Sequence, residues 1–409
     1  MSNDNRTGLF GSLLCSCLSR RNDDLDVNGR SSARSTWSYY FPRKPNVTEC
    51  QPHTLGFKFE DSIFSYELIG NWDPECLKVQ HAMWDQVKGN PYKTNHNVES
   101  IRKLMSAEVS FLNEDTQPLY KKYINNIDDY EVHFDASQFD AGFTRDIRIK
   151  IFQPKSLQLT NMQMPAFIHF HGGAVCGLSI DDQYMKPNMA RYSLECSVKV
   201  FTVEYRQAPE TQAPGNIMDC YAAIKYIIEN ADKFNIDKSK IVIGGSSDGA
   251  YMAVGVAMEL AKRGESNLVR MVNVVSPTSS NIFHKMKFEE MNEIEKRSYE
   301  VLKGFSSCIA TGKWDVNNHE EYLEDPYVFP NEMSDEIMEF CPPMVVFTSE
   351  FDVARIHAEE LAQRLEKNGV LLDYCCHPGT THCWFTNFNN KMADNFWADQ
   401  AKAFRKFLL

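Results

Sequence analysis

Gly245-Ser246-Ser247-Asp248-Gly249 stands directly behind the apolar run Lys240-Ile241-Val242-Ile243-Gly244. The run reads as a buried strand, and Tyr251–Leu260 after it reads as a helix that is apolar nearly all round and therefore buried. The five residues between them form a sharp strand-to-helix turn with a serine at its apex. Such a turn strains the serine backbone and folds the chain back on itself, so small residues are needed on both sides. Ser247 has glycine two residues before and two after it, whereas Ser246 would have Asp248 in the second place. Ser247 is the candidate nucleophile.

The surrounding chain alternates strand with helix. Two strands are expected in Tyr130–Ile151 around a turn at Phe139–Gly142. Further strands are expected at Ala166–Phe170, Lys199–Glu204, Lys240–Gly244, Val269–Val275, Met344–Thr348 and Val370–Cys375. Helices are expected at Asn216–Asn230, at Tyr251–Leu260, at His357–Asn368 (ended by Gly369) and at the C-terminus, where Met392, Phe396, Phe404 and Leu408 share a stripe. This is the pattern of an α/β protein with a mostly parallel central sheet and helices on both faces. Residues 278–340 break the rhythm between two strands, a natural place for a cap over a pocket. Residues 1–60 are polar and without sustained periodicity, and read as a mobile extension to a folded body over 61–409.

Composition narrows the function classes. With 43 basic and 55 acidic residues the net charge is −12, which argues against nucleic acid and against adhesion to anionic membranes. No run of 18 apolar residues is present to span a bilayer. The short apolar patch Leu9–Leu18 carries most of its positive charge after it, at Arg20 and Arg21, which is not the order of a secretory signal. A cytoplasmic location is therefore the expectation. Acylation of Cys15 and Cys17, giving weak membrane association, is the functional alternative to a bare tail. The 12 cysteines are irregularly spaced, and Cys176, Cys220, Cys341 and Cys375 look like small core residues. No phosphate-binding glycine loop or zinc-ligand spacing occurs, so no metal or cofactor is expected.

A serine hydroxyl needs a base and an orienting acid to attack a carbonyl, and in a sheet of this kind they follow in the order serine, acid, histidine at successive strand ends. Asp352 stands in the loop after Met344–Thr348, with Glu350 as the second choice of acid. His382 stands in the loop after Val370–Cys375, with His377 as the second choice of base. The tetrahedral oxyanion needs backbone N–H groups already aimed at it. His171-Gly172-Gly173-Ala174 follows the strand Ala166–Phe170, making Gly172 and Gly173 the expected donors, with the N–H of Asp248 as the third. His171 is expected to shape this loop, and His169 to be a strand residue.

Four stretches together resemble the hormone-sensitive-lipase-like esterases, a branch of the α/β-hydrolases that includes arylacetamide deacetylases. They are His171–Ala174, Tyr205–Glu210 with Asp219 downstream, Gly245–Gly249, and Glu350–Asp352 with Gly379–His382. The resemblance implies the α/β-hydrolase fold, ester hydrolysis through an acyl-enzyme without a metal, and a helical cap from about 72–115 and 278–340. It also implies that the Tyr205–Glu210 block supports the elbow. The chain departs from the family pattern at Ala174, where a third glycine is usual, at Ile356, where a second aspartate is usual, and at Asp248, where alanine is usual. A carboxylate beside a developing oxyanion is repulsive in a dry site.

The reading is thus a serine carboxylesterase acting on small to medium uncharged acyl esters, with Ser247 as nucleophile, His382 as base and Asp352 as orienting acid. It leaves room for a homodimer. Two alternatives stand beside it: a catalytically weak ligand-binding protein on the same scaffold, kept open by Asp248, and an amide deacetylase, which uses the same acyl chemistry.

Overall fold

The structure, a computed structural model, describes residues 52–64, 66–76, 97–99, 102, 105, 119–139, 145–157, 162–291, 293–317, 320–387 and 390–408. Cys15, Cys17 and most of the helical stretch expected over 72–115 lie outside the described residues.

Eight strands form one sheet: β1 (Ile127–Asp135), β2 (Asp146–Pro154), β3 (Met164–Phe170), β4 (Lys199–Glu204), β5 (Ile236–Ser246), β6 (Met271–Val275), β7 (Met344–Ser349) and β8 (Leu371–His377). Their spatial order is β1-β2-β4-β3-β5-β6-β7-β8. β2 runs antiparallel to both its neighbours, and the strands from β4 to β8 are parallel. The parallel crossovers place the longer helices on the two faces. These are α1 (Met185–Glu195), α2 (Gly215–Glu229), α3 (Asp248–Lys262), α4 (Glu293–Thr311), α5 (Arg355–Lys367) and α6 (Lys391–Leu408).

Side chains alternate across the sheet and so build two cores. Ile168, Ile243, Val274 and Val346 meet α2, α3 and α5 on one face. Phe167, Val242, Val345 and Phe347 meet α1 and α6 on the other, where Phe396, Trp397 and Phe404 are fully covered. Each large apolar side chain removed from water in this way contributes roughly 1.5–3 kcal/mol. The central strands are covered on both faces, which is why they read as continuous apolar runs.

Helix α1 is absent from the sequence-based expectation, although a parallel β3–β4 pair demands a crossover element. Its inward face is partly polar, which blurs the apolar periodicity. Arg191 is buried there, its guanidinium 5.1 Å from the rings of both Tyr123 and Trp397 and bonded to Glu195 (2.9 Å) and Asp394 (2.6 Å).

Residues 52–60, assigned by composition to the extension, lie instead against the body. Thr54 Oγ1 and the Gly56 N–H donate to the buried Glu359 of α5 at 2.7 and 3.0 Å. The segment continues along β8, with the Ile63 N–H on Asp373 (2.9 Å) and Ser62 Oγ on the Tyr374 carbonyl (3.1 Å). Short polar residues make poor periodicity but good backbone partners, and the buried carboxylates that receive them are far away in sequence.

Between β6 and β7 the chain leaves the sheet, makes a short helix at Ile282–Lys285, then α4, and returns through 3-10 turns at Glu320–Tyr322 and Pro330–Glu332. The end of α4 touches the loops at the strand ends: the Ala213 N–H donates to the Ile309 carbonyl (2.8 Å), and the free thiols of Cys176 and Cys308 are hydrogen-bonded, with Cys176 as donor. Among the described residues no helix is long and apolar enough to cross a membrane.

Candidate active site

β5 ends at Ser246 and α3 begins at Asp248, leaving Ser247 alone between them at φ 57°, ψ −123°. This is a strained backbone for a residue with a side chain. It is held by the Ser247 N–H on the Val275 carbonyl (2.9 Å) and by the Ser247 carbonyl receiving Ala250 N–H (3.0 Å) at the start of α3. The flanking glycines are required by contact. A Cβ on Gly245 would stand 2.3 Å from the Phe170 carbonyl oxygen, and one on Gly249 2.1 Å from the same atom. The elbow is therefore pressed against the end of β3, from which the 171–178 loop departs.

That loop turns sharply. Gly173 has φ 130°, followed by Ala174 and Val175, both at φ 55°. Gly172 lies so close to the elbow that a Cβ there would be 3.3 Å from Ser247 Cβ. The Gly173 carbonyl accepts from Cys176 (3.1 Å) and Gly177 (2.9 Å), which ties the turn to itself. His171 stacks on Tyr205 at 4.4 Å between ring centroids, and Tyr205 Oη donates to the His171 carbonyl at 2.6 Å. The next residue, Arg206, is bonded through Nε to the fully buried Asp219 at 2.9 Å, and Arg145 also pairs with Asp219. The Tyr205–Glu210 block thus braces the loop and the start of α2. His169 is buried in β3 against Thr202 Oγ1 (2.7 Å), and burial, with a smaller push from His171, lowers it to about 3.

His382 Nδ1 lies 2.7 Å from Asp352 Oδ2, and both residues are buried. Asp352 Oδ1 accepts from the Ala354 N–H at 2.8 Å, so the carboxylate is oriented by its own loop. The two loops are bonded to each other through Phe351 N–H on the Thr380 carbonyl (2.9 Å) and Ser349 Oγ on the Thr381 carbonyl (2.8 Å). Burial pulls the imidazolium form of His382 down, but the charge and hydrogen bond of Asp352 outweigh it, and the net position is well above an ordinary histidine. The second choices have other partners. Glu350 receives the N–H groups of Gly70 and Gly379, both at 2.7 Å, and His377 Nε2 is 3.0 Å from Asp399, with the Cys375 thiol alongside.

Asp248 is buried beside the elbow, yet its carboxylate does not turn away from it. Oδ1 accepts from Thr278 Oγ1 at 2.7 Å, Oδ2 stands 3.4 Å from Ser247 Oγ within reach of its hydroxyl, and the Ala174 N–H also donates to the carboxylate. Burial raises this carboxyl above its usual range. The Thr278 bond, the charge of His382, and the Ala174 and Ser247 donors pull the other way. Thr278 carries no sequence signal: it is one hydroxyl in a polar stretch after β6, and only the packing of that stretch over α3 reveals its partner.

A family model described as the alpha/beta hydrolase fold matches residues 167–386. An arylesterase of Saccharolobus solfataricus is 30% identical over 246 residues, covering 56% of this chain and 73% of that protein. The carboxylesterase NlhH of Mycobacterium tuberculosis is 24% identical over 247 residues, covering 59% and 72%. A solved hyperthermophilic esterase from Pyrobaculum calidifontis superposes with a TM-score of 0.63 at 20% identity, covering 82% of this chain and 98% of that one. With the elbow, the strand order and these matches in agreement, the chain belongs to the α/β-hydrolase family, in its hormone-sensitive-lipase-like branch.

Proposed function

We propose that the protein is a serine carboxylesterase acting through an acyl-enzyme, with Ser247 as nucleophile, His382 as base and Asp352 as the orienting acid. The chain is a hydrolase of ester bonds, in keeping with the esterases it resembles over most of their length. The observation that supports the assignment of residues is a 2.7 Å histidine–carboxylate bond between the loops after β7 and β8, in a chain whose β5 ends in a serine at positive φ. Nδ1 of His382 is engaged by Asp352, so Nε2 is the nitrogen that takes the Ser247 proton and returns it to the leaving alcohol. The Asp352 charge stabilises the imidazolium formed in that step. The N–H groups of Gly172, Gly173 and Asp248 receive the oxyanion; one such donor contributes about 10²–10³ in rate. Water then releases the acid by the same proton route. Acyl groups of small to medium size suit this reading, and amide deacetylation would use the same residues.

A ligand-binding role without turnover has one observation in its favour, the Asp248 carboxylate 3.4 Å from Ser247 Oγ. Hydrolysis of chromogenic esters of graded acyl length by the wild type and by Ser247→Ala separates the readings. Turnover that disappears in the variant supports the esterase. A folded wild type that hydrolyses no ester and is not labelled by a serine-directed phosphonate overturns it.

A further inference from the structure

The feature that the esterase reading leaves unused is the side chain of Asp248. It is 6% exposed, and the one charge named as acting on it is that of His382, whose Nδ1 is already taken by Asp352. Its donors are Thr278 Oγ1 at 2.7 Å, the Ala174 N–H, and the Ser247 hydroxyl at 3.4 Å, too long for a full bond. Two carboxylate oxygens can accept roughly four hydrogen bonds, so there is capacity on the side facing the nucleophile. Asp248 is also the first residue of α3, where the N–H groups and the helix dipole favour a negative charge. A buried anion is costly unless it is well paired, and here a further partner can come from the substrate.

We propose that Asp248 is a specificity-determining residue which selects esters bearing a hydrogen-bond donor, best a cationic amino group, on the carbon next to the scissile carbonyl. The inference rests on the esterase reading and replaces the expectation of uncharged acyl groups. Reach supports the position. In an attack geometry the carbonyl carbon stands about 3 Å from Ser247 Oγ. With Oδ2 3.4 Å from Ser247 Oγ, a donor two bonds from that carbon can reach Asp248 Oδ2 at a hydrogen-bond distance of about 2.9 Å. Charge supports the class. For a neutral acyl group the carboxylate opposes the oxyanion that forms beside it. An ammonium on the substrate pairs with the carboxylate and lies next to the oxyanion as well, so it favours the transition state on both counts. Thr278 is the positioning residue, since its bond holds Oδ1 and so aims Oδ2 at the nucleophile.

The test is a set of three activated esters of equal chain length, unsubstituted, 2-hydroxy and 2-amino, hydrolysed by the wild type, Asp248→Asn and Asp248→Ala. The quantity read is the ratio of kcat/KM for the amino ester to that for the unsubstituted ester. Comparing this ratio between variants cancels the intrinsic reactivity of each ester. Both substitutions are expected to lower the ratio at least tenfold, with turnover of the unsubstituted ester rising and the hydroxy ester falling between. Thr278→Val is expected to lower the ratio by a smaller factor. Thermal unfolding and phosphonate labelling of Ser247 establish that each variant is folded. A ratio unchanged within about twofold in both Asp248 variants, with Ser247-dependent hydrolysis intact, overturns the role of Asp248 and leaves the esterase reading standing. Absence of turnover and of labelling in the folded wild type overturns both.

Discussion

Replacing Gly249 by alanine places a methyl group where α3 meets the end of β3. The new Cβ would lie 2.1 Å from the Phe170 carbonyl oxygen, 2.9 Å from the Phe170 carbonyl carbon and 3.0 Å from that of His171. An ordinary carbon–oxygen contact begins near 3.4 Å, so helix and strand must part by about 1.3 Å. All three atoms are backbone at the end of a central strand, where neither a rotamer change nor an exposed side chain can absorb the strain. Overpacking of this kind costs typically 1–3 kcal/mol, and a clash of backbone on backbone belongs at or above about 3 kcal/mol. The same displacement separates Ser247 from the 171–174 loop, and a misplacement of about 1 Å at a reacting group can cost roughly 10²-fold in rate. Gly264→Ala is the matched control. It has no atom within 4 Å but sits at φ +68°, so it pays only the left-handed strain, about 1 kcal/mol, and leaves activity untouched. Equilibrium urea unfolding gives the stabilities, and ester hydrolysis with phosphonate labelling gives the state of Ser247. If Gly249→Ala unfolds within about 0.5 kcal/mol of the wild type and turns over normally, the contact argument for the elbow is wrong.

Three further outcomes follow from the geometry. The base must be neutral to take the serine proton, and His382 is held well above an ordinary histidine, so kcat/KM should rise with pH to a midpoint above about 6.5. Asp352→Asn should move that midpoint down and cut the plateau by about 10⁴-fold; an unmoved midpoint in a pH–rate profile refutes the pairing. His169 and His357, lowered by burial to about 3 and about 4, stay neutral in the folded chain while the unfolded chain takes up protons below about 6.5. Stability is therefore whole above that pH and falls by about 1.4 kcal/mol per pH unit from each histidine as pH drops, measurable as urea midpoints between pH 7 and 5. A stability flat across that window contradicts their burial. Asp219→Ala leaves Arg206 and Arg145 facing an emptied, fully buried position and should cost about 3–5 kcal/mol, while a loss below about 1 kcal/mol in urea unfolding would show that the cluster is not holding the loop.

The site was legible where function demands unusual local chemistry. Gly245 and Gly249 are visible as letters because the backbone approaches there leave room for nothing larger. Asp352 and His382 were separable from Glu350 and His377 only as first and second choices, since all four stand in the right loops. What separates them in the structure is partners distant in sequence: the N–H groups of Gly70 and Gly379 engage Glu350, Asp399 engages His377, and Asp352 and His382 engage each other. Helix α1 stayed hidden because Arg191 and other polar residues face inward, satisfied by rings and carboxylates that periodicity does not count. Residues 52–60 stayed hidden because their bonds run from backbone and a threonine hydroxyl to Glu359, about three hundred residues away.

The amino-acid sequence alone determined the strand and helix periods, the two-faced sheet they imply, and the strained turn at Ser247, because each is set by contacts a few residues apart. It also determined that a carboxylate follows Ser247. Only the tertiary structure decided what that carboxylate does. The Thr278 hydroxyl and the Ala174 N–H come from two separate loops, and their placement aims Asp248 at Ser247 instead of away from it. Direction of a buried charge is fixed by whichever donors the fold brings within about 3 Å, and that is a property of packing that no local pattern records.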